Sequence, residues 1–141
     1  MLRVVVDVNV LVSAAFDLPE APARVVDEWR AGAFEMVVSM RLLDELQEVL
    51  ERPHIERRLA WPGQAARVVG ALAERGILVD DPTPAERLVP ADPDDDYLVA
   101  LARAGRAQVI VTGDADLLEA DLDPPAYSPR DFLTRLEELN L

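Results

Sequence analysis

The sequence predicts a three-layer α/β/α sandwich with a small, mainly parallel central sheet. Two features carry this expectation. Short β-branched runs at Leu2–Val6, Phe34–Val38, Ile77–Val79 and Val109–Val111 alternate with segments of helical periodicity. The first run is apolar at Leu2, Val4, Val5 and Val6, the pattern of a strand buried on both faces. It ends on Asp7, with Asn9 two positions later. A carboxylate at the carboxyl end of a central parallel strand faces the crevice where open α/β sheets bind ligands.

Composition narrows the class. A chain of 141 residues, half of them apolar, fits one domain (1–141) and can bury a real core. No apolar run approaches the roughly 18 residues of a membrane span, and the start reads as strand with no secretory leader, so a cytoplasmic protein with no membrane association is expected. Without cysteine, a disulfide or thiolate metal site is excluded, and a metal must be held by oxygen or by the single histidine. The net charge of −13 comes from 27 acidic residues against 14 basic ones, all arginine. That balance disfavours tight non-specific nucleic-acid binding, yet suits a site where divalent cations mediate contact with phosphate.

Along the chain, Val10–Phe16 starts a helix that Asp17, Leu18, Pro19 and Pro22 interrupt. Val25, Val26 and Trp29 give a short amphipathic helix ending near Gly32. After the strand Phe34–Val38, Ser39 caps a helix over Met40–Leu50 that Pro53 stops. On that helix Leu42, Leu43, Leu46, Val49 and Leu50 share one face. Glu45 falls at its edge, while Asp44 and Glu48 point away, so Glu45 is the acid this helix can carry towards the sheet. A boundary glutamate with its head in water is the alternative.

His54–Ala60 and Pro62–Arg75 form a further helix pair, followed by the strand Ile77–Val79 and a proline-rich surface connection over Asp80–Pro90. Arg52, Arg57, Arg58, Arg67 and Arg75 either pair with local glutamates or contact a polyanion. His54 reads as a surface or capping histidine. The cluster Asp92-Pro93-Asp94-Asp95-Asp96 enters an apolar helix that ends near Gly105. Asp92 and Asp94 suit the helix dipole. Asp95 and Asp96 lie inside the first turn, and periodicity does not choose which faces the sheet. Val109–Val111 then delivers Thr112-Gly113-Asp114-Ala115-Asp116, repeating the opening design of a buried strand that ends in acids. If the two strands are neighbours, Asp114 lies beside Asp7. Ala126-Tyr127 makes a last strand, and Ser128 and Pro129 begin an amphipathic helix to Leu139.

In such a fold Asp7, Glu45, Asp95 or Asp96, Asp114 and Asp116 converge at one sheet edge. Several carboxylates held together require a compensating cation. Oxygen-only ligands select hard ions, Mg²⁺ or Mn²⁺, which suit in-line attack of water on a phosphodiester.

Four stretches taken in order, VVDVNVLVSA, SMRLLDELQEVLERP, DPDDDYLVALARAGRAQVIVTGDADLL and YSPRDFL, resemble the PIN-domain family, in particular its branch of toxin–antitoxin toxins. The resemblance spans essentially the whole chain. It implies a Rossmann-like fold, Mg²⁺- or Mn²⁺-dependent endoribonuclease activity on an RNA substrate, a cognate antitoxin protein as partner and a homodimer. By that resemblance the family's acids fall on Asp7, Glu45, Asp96 (with Asp95 as its alternative) and Asp114. Asp116 matches an additional acid, Asn9 accompanies Asp7, and Ser39 and Thr112 occupy small polar positions. A basic rim for RNA must come from arginines such as Arg41, Arg103 and Arg106.

Other readings compete. A haloacid-dehalogenase site wants Asp-x-Asp where this chain has Asp7-Val8-Asn9, and a neutral amide cannot act as the second acid. A receiver domain needs a lysine, and none is present. A catalytically weak binding or dimerisation module on the same fold, and a nuclease directed at DNA, remain as alternatives.

Overall fold

A computed structural model describes residues 1–16, 18–59, 61–83 and 93–139, with no account of the side chains of 93 and 94. The expected connection over Asp80–Pro90 falls outside the described residues from position 84 onward, as do Asp17, Ala60 and Asp92, together with the side chain of Asp94.

Strand β1 (Arg3–Val6) holds three fully buried valines, Val4, Val5 and Val6. Helix α1 (Val8–Ala15) begins two residues earlier than its apolar pattern predicted, because Asp7 itself is the N-cap: its carboxylate accepts the backbone N–H of Asn9. Helix α2 is Ala21–Arg30, with Pro22 inside its first turn. That proline starts a helix rather than interrupting one, since its missing N–H has no partner there anyway. Strand β2 (Glu35–Val38) leads to α3 (Met40–Leu50), where Ser39 Oγ accepts the Leu42 N–H at 3.2 Å. A single turn, α4 (Pro53–Glu56), precedes α5 (Gln64–Arg75), which starts only after Gly63 at φ +83°. Strand β3 (Ile77–Leu78), α6 (Pro93–Ala104), β4 (Val109–Val111), α7 (Ala115–Glu119), β5 (Ala126–Tyr127) and α8 (Pro129–Leu139) complete the order. At five residues, helix α7 is too short for periodicity to declare in the sequence.

All strand pairs are parallel, and the order is β3-β2-β1-β4-β5. The two edge strands are the two-residue β3 and β5, which leaves little exposed edge to pair with another chain. The chain moves outward from β1 in one direction, then reverses to β4, so β1 and β4 flank the topological switch point. Helix α6 packs on β1, β2 and β4, while α1 packs with α2, α3 and α5, and α8 with α2 and β5. The core between them contains Phe34, Met36, Leu46, Leu101, Ile110, Leu117 and Phe132. Phe34 and Phe132 meet edge to face, with ring centroids 5.1 Å apart. Gly105 closes α6 directly against β2: a Cβ there would stand 2.4 Å from Val37 Cγ1. Among the described residues no helix is long and apolar enough to cross a membrane.

Candidate metal centre

The site lies at the carboxyl ends of β1 and β4. Register pairs Val6 with Val111, so the next residue on each strand, Asp7 and Thr112, leave the sheet side by side. The Asp7 N–H donates to the Val111 carbonyl at 2.9 Å, continuing the ladder one step past the strand. The Thr112 hydroxyl, fully buried, donates to Asp7 Oδ2 at 2.8 Å and accepts the Asp114 N–H at 3.0 Å. Asp114 in turn caps α7, its Oδ1 accepting the Asp116 N–H at 2.8 Å. One threonine therefore fixes the acids of two strands relative to each other.

The first turn of α6 brings the third contribution. Carboxylate oxygens of Asp95, Asp114 and Asp116 all lie within 4.8 Å of one another. Asp7, Asn9, Glu45, Asp95 and Asp114 line one recess of about 110 Å³, together with Arg41 and Tyr97. Asp95 and Asp96 are both buried, at 6% and 4% exposure, but only Asp95 lines the recess and joins Asp114 and Asp116. Glu45 is exposed and lines the recess, and together with Arg41 it also borders a second, more open cleft that Asp44, Glu48 and Asp81 line.

Burial pushes the Asp7 carboxyl above 3.8, and the nearby Asp114 carboxylate adds to the rise. The hydrogen bonds from Thr112 and from the Asn9 and Val8 amides oppose it without cancelling it. A divalent cation would remove that penalty. The donor set is entirely oxygen, carboxylates with no thiolate or imidazole among them, and fits a hard ion of the Mg²⁺ or Mn²⁺ kind.

A second network adjoins the acids. Ser39 Oγ and the Tyr97 hydroxyl are 2.6 Å apart, and that hydroxyl donates a short hydrogen bond to Asp81 Oδ1. Asp81 Oδ2 accepts the backbone N–H of Arg41 at 3.4 Å, and the Arg41 guanidinium carbon sits 3.9 Å from the centre of the Tyr97 ring. In the sequence, Tyr97 is the first apolar position after the acidic cluster, and Asp81 belongs to the proline-rich connection. No spacing signal links positions 39, 81 and 97.

The expected basic rim divides. Arg41 reaches the recess. Arg103 and Arg106 lie at or beyond the last turn of α6, about 12 Å along the helix from Asp95 at 1.5 Å per residue. There the Arg103 Nε–H donates to the Asp123 carbonyl. The arginines around α5 pack on aromatic rings: Arg58 on Phe16, Arg67 on Trp61 and Arg75 on Trp29.

A family model described as PIN domain matches residues 3–116. Among solved structures, the chain is similar to PAE2754 from Pyrobaculum aerophilum, at 20% identity and a TM-score of 0.62, covering 97% of this chain and 90% of that one. It is also similar to VapBC2 from Rickettsia felis bound to a DNA fragment from their promoter, at 14% identity and a TM-score of 0.61, covering 90% of this chain and 98% of that one. No curated protein matches the sequence.

Proposed function

Because the chain belongs to the PIN-domain family, we propose that it is a divalent-metal-dependent endoribonuclease and the toxin of a toxin–antitoxin pair. The observation that carries this reading is the grouping of carboxylate oxygens of Asp95, Asp114 and Asp116 within 4.8 Å of one another, with Asp95 and Asp114 lining the same recess as Asp7. Asp7, Asp95 and Asp114 hold the cation, and Glu45 and Asp116 complete its shell. The α6 ligand in this proposal is Asp95, which faces the group, with Asp96 as the alternative. When bound, Mg²⁺ or Mn²⁺ supplies Lewis-acid activation of water and stabilisation of the leaving oxygen. Thr112 holds Asp7 in place through its hydroxyl, and Asn9 fixes the other carboxylate oxygen through its backbone N–H. The likeness to VapBC2 supports a protein partner of the antitoxin kind, and a homodimer is the assembly the family resemblance suggests.

Incubating the protein with a panel of defined RNAs in Mg²⁺, Mn²⁺ or EDTA tests the reading. Cleavage is expected with either metal, none in EDTA, and none from Asp7→Asn. Asp95→Asn abolishes cleavage and Asp96→Asn spares it if the α6 assignment is correct. Equal rates for Asp7→Asn and the parent would sink the proposal.

A further inference from the structure

We infer that Arg41 is the residue that receives a phosphate group of the nucleic-acid substrate, and that Tyr97 is the platform holding its guanidinium in position. The inference rests on the nuclease reading for what the substrate is. Its residues lie outside the carboxylate set.

Arg41 is the only basic side chain among the described residues that line the recess. The chain carries a net charge of −13, so a polyanion approaching it meets net repulsion at long range. A cationic side chain beside the metal ligands favours a phosphodiester there, and Arg41 stands one helical turn from Glu45 on α3. A guanidinium carries N–H donors in a fork that matches two phosphate oxygens.

What distinguishes Arg41 from an ordinary surface arginine is how it is held. Its guanidinium carbon lies 3.9 Å from the Tyr97 ring centre, the shortest of the arginine–aromatic contacts in the described residues. Tyr97 itself is pinned at its hydroxyl by Ser39 and Asp81. Ser39 caps α3, and Asp81 accepts the Arg41 backbone N–H, so both ends of the stack are tied to the same short segment. Tyr97 is also two residues beyond Asp95 on α6. The stack therefore fixes Arg41 relative to the metal ligands, and a stacked arginine loses less side-chain freedom on engaging a ligand than a free one.

The test is equilibrium binding of a fluorescein-labelled single-stranded RNA by anisotropy, with Ca²⁺ as the cation, across a series of salt concentrations, and cleavage kinetics in Mn²⁺ beside it. Losing a charge-assisted contact in Arg41→Gln should weaken binding about tenfold or more and raise KM in parallel. The slope of log affinity against log salt should fall by about 0.7, one phosphate contact on a single strand. Arg41→Lys, which keeps the charge without the fork or the stack, should fall between. Tyr97→Leu should weaken binding more than Tyr97→Phe, which keeps the ring. Mn²⁺ binding by calorimetry should survive in Arg41→Gln, which separates loss of the phosphate contact from collapse of the site. Parent-like affinity and salt slope in Arg41→Gln, or no RNA binding by the parent, overturns the inference. Binding that depends on Arg41 in a parent that never cleaves would sink the nuclease reading and leave this one standing.

Discussion

Thr112 and Asp7, 105 positions apart in the chain, are joined by a 2.8 Å hydrogen bond from the threonine hydroxyl to the aspartate Oδ2. The bond exists because β1 and β4 are adjacent and in register at Val6 and Val111. It places the first acid of the chain against the turn that carries Asp114, and it makes the threonine both donor to one acid and acceptor from the backbone of the other.

Replacing Thr112 with Val keeps the shape and removes both bonds. A hydrogen bond to a charged acceptor contributes roughly 1.5–3 kcal/mol, and this one is partly buried, so a loss of unfolding free energy towards the lower end of that range is expected from urea titration. Thr112→Ser should recover most of it. A Thr112→Val protein as stable as the parent would mean that the bond contributes nothing net.

The raised Asp7 pKa gives stability a pH dependence with a definite sign. The folded protein holds this proton more tightly than the unfolded chain. The Asp7 contribution is therefore fully present below 3.8 and is lost as pH rises through the elevated folded value. In EDTA, the unfolding free energy of the parent minus that of Asp7→Asn should fall with rising pH across that window, then level off. A difference that is flat or rises with pH contradicts the assignment.

Metal should reverse that penalty. At a concentration about 100 times its Kd, a cation bound only by the folded state adds ~2.7 kcal/mol. Mn²⁺ is expected to raise the melting temperature of the parent, and Asp114→Asn to lose the shift. Asp116→Asn should lose less, because Asp116 is exposed where Asp114 is half-buried. Calorimetric titration gives the affinities directly.

The Tyr97 phenol should ionise only at high pH. Burial and the Asp81 carboxylate push it up to about 12 from 10.0. Ultraviolet titration of tyrosinate in the parent, less that in Tyr97→Phe, should show one phenol ionising near that pH. Because the folded value is the higher one, the Tyr97 contribution to stability is present below 10.0 and is lost towards about 12. A difference spectrum titrating at 10.0 would break the Ser39–Tyr97–Asp81 connection.

At Gly105, a methyl group would collide with Val37 where α6 meets β2. Gly105→Ala should cost about 1–3 kcal/mol as overpacking. In a double-mutant cycle, Val37→Ala should relieve part of that loss, giving a favourable coupling between the two changes. Strict additivity would locate the strain elsewhere.

By itself the sequence determined the strand–helix alternation, the buried character of β1 and β4, and the presence of an acid at the end of each. Those features are local: valine runs, Ser39 before an amphipathic stripe, and Glu45 at the stripe's edge need nothing from the rest of the chain to be read. Tertiary structure decided what adjacency alone can decide. Asp95 and Asp96 have the same chemistry and differ by about 100° around α6, and only the packing of that helix on the sheet turns one of them to Asp114 and Asp116. The same holds for Ser39, Asp81 and Tyr97, whose hydroxyls and carboxylate meet because the start of α3, the segment after β3 and the second turn of α6 come together, a convergence with no period along the polymer.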